Sequence, residues 1–205
     1  MKLSLRSLLI GGGILCLTLA LGLGLYNLAD SRRADHQSAT VLEQLVPTID
    51  KKEPPEEKDP PDHLLYPDME MPTIEVDGQR YVGYLEIPDL DLRLPVAAGE
   101  FRLKTLLSSP AVYSGSVYRR DMVIAAHNYR SHFGRLNQLD VGAPVSFIDA
   151  YCNVFDYTVA WEETVFPSDR QQMVTGDAWH LTLFTCTYNG EKRFTLRCVL
   201  ADQKK

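Results

Sequence analysis

Apolar and polar positions divide the chain into three regimes. Residues 8–26 (LLIGGGILCLTLALGLGLY) run for nineteen positions without a charge. At about 1.5 Å per residue a helix of that length nearly crosses the ~30 Å core of a bilayer. Lys2 and Arg6 precede it like the positive region of a cleavable signal peptide. The apolar run is longer than such peptides use, however, and no A-x-A-like site follows, so the pattern favours an uncleaved anchor. Lys2 and Arg6 on one side are matched by Arg32 and Arg33 on the other, so flanking cations do not set the orientation.

The second regime is polar. Residues 34–45 (ADHQSATVLEQL) predict a short stalk helix whose apolar positions are Val41, Leu42 and Leu45. Residues 47–73 hold seven prolines among many charges, a composition that buries no core and favours extended backbone. They predict a spacer holding the folded part off the membrane, or a lid if Leu64, Leu65 and Tyr66 dock. The organisation expected is a short cytoplasmic N-terminus over 1–7, an anchor over 8–26, stalk and spacer over 27–73, and a folded domain over 74–205.

From residue 74 the period changes to short strands. In YVGYLEIPDLDLRLPV, Leu90, Leu92 and Leu94 alternate with Asp89, Asp91 and Arg93, the period of a half-buried strand. Residues 101–107 suggest a helical turn or two. Further strands are expected at 122–127, 144–149, 154–161, 180–186 and 193–200. Strands this short and frequent, separated by turn residues, predict a closed or nearly closed β-barrel.

Composition narrows the function. The 205 residues carry a net charge of −6, which argues against a nucleic-acid binder. Of four cysteines, Cys16 lies in the apolar run, leaving Cys152, Cys186 and Cys198. That odd number leaves a free thiol even if Cys152 and Cys198 pair, and no Cys/His spacing suggests a metal. No metal site and no cofactor are expected.

The chemistry concentrates in TLFTCTYNGEKRFTLRC, residues 182–198. Asn189-Gly190 favours a two-residue type I′ turn, which would pair residues whose numbers sum to 379. Cys186 then opposes Arg193, with Cβ atoms roughly 4.5–5.5 Å apart, while Arg197 lies about 13 Å further along the same face. A guanidinium beside a thiol favours the thiolate and can donate to an oxyanion. The alternative is a buried, inert cysteine. A cysteine acting on an amide also needs a proton donor, usually His. His180 is six residues before Cys186, about 20 Å away on a straight strand. His127 closes the strand VIAAH, where a side chain reaches a rim, and His132 sits in the loop that follows.

The order VIAAHNYRSHFGRL, TLFTC, RFTLR resembles the sortases, membrane-anchored cysteine transpeptidases of mostly Gram-positive bacteria. Their strand-end His, TLxTC strand and downstream Arg match His127, Thr182-Leu183-Phe184-Thr185-Cys186 and Arg193, over about residues 75–201. The resemblance implies an eight-stranded β-barrel with a catalytic domain outside a single-pass cell-membrane anchor. It implies that Cys186 attacks an LPxTG-like sorting signal on a surface protein and forms a thioacyl enzyme, which an amine resolves. The amine would belong to a peptidoglycan precursor or, in the pilus branch, to a pilin lysine. His127 would move protons, Arg193 would hold substrate carbonyls or the oxyanion, and Thr185 would contact the acyl group. DPPDHLLYPD carries Asp-Pro without the aromatic that follows it in pilus-type lids, and the chain ends at Lys205 soon after the last strand; both favour cell-wall attachment. A hydrolytic cysteine peptidase and a tethered binding module are the remaining alternatives.

Overall fold

A computed structural model describes residues 5–51, 62–99, 108–174 and 178–201 of the chain. Among them nine strands form one sheet: β1 (Ile74–Val76), β2 (Gln79–Ile87), β3 (Leu92–Ala97), β4 (Ala111–Ser114), β5 (Met122–Ala125), β6 (Pro144–Asp149), β7 (Val154–Val165), β8 (Leu181–Cys186) and β9 (Arg193–Leu200). Their order is β1-β2-β3-β4-β5-β8-β9-β7-β6, and β6 pairs back onto β2. That last pairing closes β2 to β9 into an eight-stranded barrel, with β1 appended outside the ring. The barrel is mixed, because β3 runs parallel to β4 and β5 parallel to β8.

The barrel expected from the strand pattern is present, with local differences. The alternation over 89–94 is not one strand. Pro88 opens a 3₁₀ turn over Pro88–Leu90, and Asp91 closes it with φ 50°. A proline has no N–H for a ladder and fixes φ, so β2 ends before it and β3 starts after Asp91. Strand β4 was not expected. The two-residue hairpin with positive φ at both turn positions, as type I′ demands, occurs at Asp77 (51°) and Gly78 (75°), joining Val76 to Gln79. The helical turn expected over 101–107 lies outside the described residues.

Two hydrophobic layers hold the fold. Val82, Leu85, Val96, Met122, Ile124, Phe147, Leu183 and Leu196 fill the barrel. Val123, Ala125 and Phe184 point outward into a second cluster with Leu45 and Ile49. Those last two belong to α1 (Leu5–Asp50), one unbroken helix where the sequence suggested an anchor and a separate stalk. Its residues 9–28 expose their large apolar side chains, whereas Ala34, Ser38, Leu45 and Ile49 are buried at helical spacing. Complete burial of Leu45 and Ile49 contributes roughly 2 kcal/mol each. The second half of the helix is therefore a docked layer, and the distance between apolar span and barrel is set by α1 rather than by the Pro-rich spacer. Of that spacer, 47–50 continue α1 and 52–61 lie outside the described residues. Beyond them Leu64, Leu65 and Tyr66 are exposed. The spacer docks instead through His63, stacked on Tyr118 with ring centroids 5.1 Å apart, and through Met69 and Met71, which pack against the barrel core.

Barrel closure depends on one glycine. Gly83 pairs with Val96 on one side and Asp149 on the other. It has φ 151°, and a Cβ there would lie 1.9 Å from the carbonyl oxygen of Ile148. Backbone cannot yield as a flexible side chain does, so Gly83→Ala is expected to destabilise the protein by roughly 3 kcal/mol or prevent barrel closure. Thermal unfolding of the full chain in detergent checks this; an unchanged midpoint would show that the β2–β6 seam is looser than described.

Candidate active site

Strand β8 is buried along five of its six residues because it is covered on both faces. Leu181 and Leu183 enter the barrel interior, while Phe184 faces the layer under α1. By alternation Cys186 shares the outward face of Thr182 and Phe184. It is the last residue of the strand, half-buried, with a free thiol.

The ladders on either side bring two residues level with it. On the parallel side Met122 pairs with Leu181 and Ala125 with Phe184, a constant offset of 59. Extended two residues past the end of β5, the same offset sets His127 beside Cys186. The extension is anchored, since the Ala126 amide donates to the Phe184 carbonyl at 3.2 Å and the Thr185 hydroxyl donates to the Ala126 carbonyl at 2.9 Å. On the antiparallel side Cys186 pairs directly with Arg193. His127, Cys186 and Arg193 thus form one row across three neighbouring strand paths, spaced by about 4.8 Å per strand.

The Cys186–Arg193 pair has the expected register but a different turn. The Gly190 amide donates to the Thr187 carbonyl, so Tyr188 and Asn189 are the central turn residues. Only Gly190 has positive φ there, at 73°, which rules out type I′. The closing pair is Thr187 with Lys192. A four-residue loop centred on the same point leaves the pairing sum at 379, which is why the register survives the change of turn. The Arg193 Nη1 donates to the carbonyls of Gly190 and Lys192 at 3.2 and 3.1 Å. Its guanidinium lies along the end of the hairpin, where Cys186 emerges.

Arg197 occupies the same face but a different environment. It pairs with Thr182 and is completely buried. Its Nε donates to Glu163 Oε1 at 2.5 Å and its Nη1 to Thr182 Oγ1 at 2.8 Å, while Nη2 donates to the Gln172 carbonyl. The Trp179 ring lies 4.5 Å from its guanidinium carbon. Every direction is occupied by protein, so Arg197 is a structural cation.

Burial pushes the His127 imidazole below the ordinary histidine range, and the Asp30 carboxylate opposes that shift. The ring is therefore neutral at neutral pH and able to take up a proton. Its carbonyl accepts from the Phe133 amide at 3.2 Å, and the loop doubles back so tightly that a Cβ on Gly134 would lie 2.7 Å from the Tyr129 carbonyl oxygen. His132 is fully buried, its pKa lowered to about 4 by burial and by His127. Its Nε2 lies 3.1 Å from Ser38 Oγ, whose own proton goes to the Ser108 carbonyl, so Nε2 is the donor. His180 is tied up elsewhere, its Nδ1 accepting from the Leu200 amide. Of the three barrel histidines, His127 is the one level with the thiol.

Cys186 opens into a cleft of about 320 Å³, lined also by Asn128, Gly134, Asn137, Thr185, Tyr188 and Phe194. The amides of Asn128 and Asn137 were not singled out from the sequence, though the glycine and asparagines after His127 mark that loop as a close-packed rim. Thr185 lines the cleft while its hydroxyl proton is committed to Ala126. Cys152 and Cys198 are both free thiols. Among the described residues no three His, Cys, Asp or Glu side chains cluster as metal ligands.

Comparison with known proteins bears on the family and the fold. The family model described as Sortase domain matches residues 85–201, more than half of the chain. No match is found among the curated proteins. Solved structures with a similar fold include a Clostridium perfringens sortase D5 transpeptidase, 16% identical with TM-score 0.59 over 81% of this chain and 99% of that one. A Corynebacterium diphtheriae sortase A lid mutant is 19% identical, with TM-score 0.54 over 88% and 96%. Streptococcus suis sortase C1 is 21% identical, with TM-score 0.53 over 60% and 74%.

Proposed function

The chain belongs to the sortase family of cysteine transpeptidases, and from that premise we propose that it cleaves an LPxTG-like sorting signal at Cys186 and passes the acyl group to an amine of a cell-wall precursor. The observation that carries this reading is the row of His127, just past β5, Cys186 on β8 and Arg193 on β9, with Cys186 opening into a cleft lined by the neighbours of both partners, Asn128 and Phe194.

The Cys186 thiol passes its proton to the neutral His127 ring as its sulfur attacks the carbonyl carbon of the scissile amide. Arg193, at the end of the hairpin, donates to the oxygen that gains negative charge or holds neighbouring substrate carbonyls. As the carbon–nitrogen bond breaks, His127 gives a proton to the departing amine, leaving a thioester on Cys186. An incoming amine then attacks the thioester, His127 takes up the proton it loses, and the Cys186 thiolate departs. Thr185, bonded to the Ala126 carbonyl, keeps the histidine strand level with the thiol. The exposed apolar half of α1 anchors the enzyme in the membrane, with the barrel on the outer side.

Product analysis tests this. The full chain in detergent micelles, given an LPxTG-like peptide, should release the signal's C-terminal fragment and, with an added amine, yield mainly the new amide. A product spectrum of free acid alone, unchanged by added amine, would assign the barrel to a hydrolase instead.

A further inference from the structure

The docked half of α1 reaches the loop that carries His127 at three points, one of them the Ser131 hydroxyl donating to the Ser31 carbonyl at 3.4 Å. Asp30 is half-buried, four residues past the apolar run and so roughly 6 Å beyond its end. The Tyr129 hydroxyl donates to Asp30 Oδ2 at 2.5 Å. The Tyr129 ring in turn stacks on the His127 imidazole, with centroids 5.1 Å apart and planes inclined by 27°. Two turns along the helix, Ser38 Oγ accepts from His132 in the same loop.

We propose that the membrane helix is part of the catalytic apparatus, with Asp30 a positioning residue that fixes the His127 ring through Tyr129 and favours its protonated state. This rests on the reading of His127 as the proton-transferring group. The stack sets the plane of the imidazole, and the hydrogen bond to Asp30 sets the plane of the phenol. When His127 takes a proton it gains a charge against the Tyr129 face, with the Asp30 carboxylate at the hydroxyl edge of that ring; both interactions favour the cation. Other titratable groups on the elements around His127 are His132 and Arg130 in its own loop, Tyr26 on α1 near Tyr129, Cys186 on β8 and Arg193 on β9. Asp30 is the anion that opposes the effect of burial. Tyr129 keeps its proton for the bond, its pKa raised to about 12 by burial and by Asp30.

The function of α1 thereby extends past tethering. The same residues that leave the bilayer surface orient the acid–base group, so chemistry and membrane insertion are linked through about one helical turn.

The test uses the full chain in micelles with three variants, Asp30→Asn, Tyr129→Phe and, as a control, Asp35→Asn on the exposed side of α1. Proton NMR titration of the His127 ring reads the coupling without turnover, and steady-state kinetics with a signal peptide and amine read its consequence. Asp30→Asn and Tyr129→Phe should each lower the His127 pKa and reduce kcat roughly tenfold with KM little changed. Asp35→Asn should change neither, and Asp30→Glu should recover part of both. Unshifted His127 titration together with kcat within twofold of the parent in Asp30→Asn would overturn the proposal. Its failure is distinguishable from failure of the catalytic reading: undiminished turnover in His127→Ala removes that reading, whereas the titration tests the Asp30 coupling either way. Circular dichroism and thermal midpoints of the variants keep a folding defect from being mistaken for a positioning effect.

Discussion

Cys186→Ala is expected to lower turnover by at least on the order of 10⁴-fold while leaving the fold intact, because it removes the atom that forms the thioester. No other thiol in the chain can substitute. Cys16 lies within the apolar half of α1. Cys198 is fully buried in the barrel, and burial pushes its pKa up to about 12, so it stays protonated and inert. Cys152 sits in the β6–β7 turn with φ 68° and packs against the cluster under α1. Only Cys186 combines partial exposure with a cleft, a level histidine and a facing arginine. The midpoint should move little, since the residue lies at the rim and loses only its sulfur. Mass spectrometry of the wild-type chain incubated with a signal peptide should find the acyl adduct on the peptide containing Cys186 and find none in the variant. Undiminished amide exchange by Cys186→Ala would end the transpeptidase assignment of this site.

The row was legible in the sequence only in part, and the reason differs for each member. Cys186 and Arg193 are close in sequence, so an even-numbered turn centred between Asn189 and Gly190 suffices to pair them; the turn type can be wrong without moving the register. His127 was placed by its position at a strand end and by family resemblance. The ladder offset of 59 that sets it level depends on β5 and β8 being parallel neighbours, which no local pattern encodes. The docking of α1 was missed although its stripe is visible afterwards. Ala34 and Ser38 are small, so the stripe reads as polar, and Pro47 suggests an end where the helix in fact continues to Asp50. Small residues let a helix approach a sheet closely, and their burial comes from the surface that meets them. Asp30 and Tyr129 are separated by ninety-nine positions, and only the folded chain brings them together. Arg197 was recognised as the distant arginine, but its partners Glu163, Gln172 and Trp179 come from elements with no sequence link to it.

The two arginines should accordingly fail in different ways. Arg193→Ala is expected to reduce turnover roughly 10²- to 10³-fold, the usual consequence of removing a donor to a developing oxyanion, with an unchanged midpoint. Its bonds go to carbonyls of its own half-exposed hairpin, and water can replace it there. Arg197→Ala should instead lower stability. It removes a completely buried side chain and leaves Glu163 Oε1 and the Gln172 carbonyl without their Arg197 donor, while Thr182 Oγ1 keeps only the Trp179 indole N–H. Removing one partner of a fully buried ion pair costs about 3–5 kcal/mol. The Glu163 side chain is 36% exposed and can rehydrate, so about 2–3 kcal/mol is expected here. For a chain of this size that is a drop of roughly 5–10 °C in midpoint. Trp179, against the guanidinium, supplies a fluorescence signal for the transition. Arg197→Lys should recover little, because an ammonium cannot serve three acceptors in one plane and stack on the indole. Measured well below the lowered midpoint, Arg197→Ala should retain most of its kcat, whereas Arg193→Ala stays slow at every temperature. Equal losses of turnover in two equally stable variants would mean that the arginine beside Cys186 is not the one acting on the substrate.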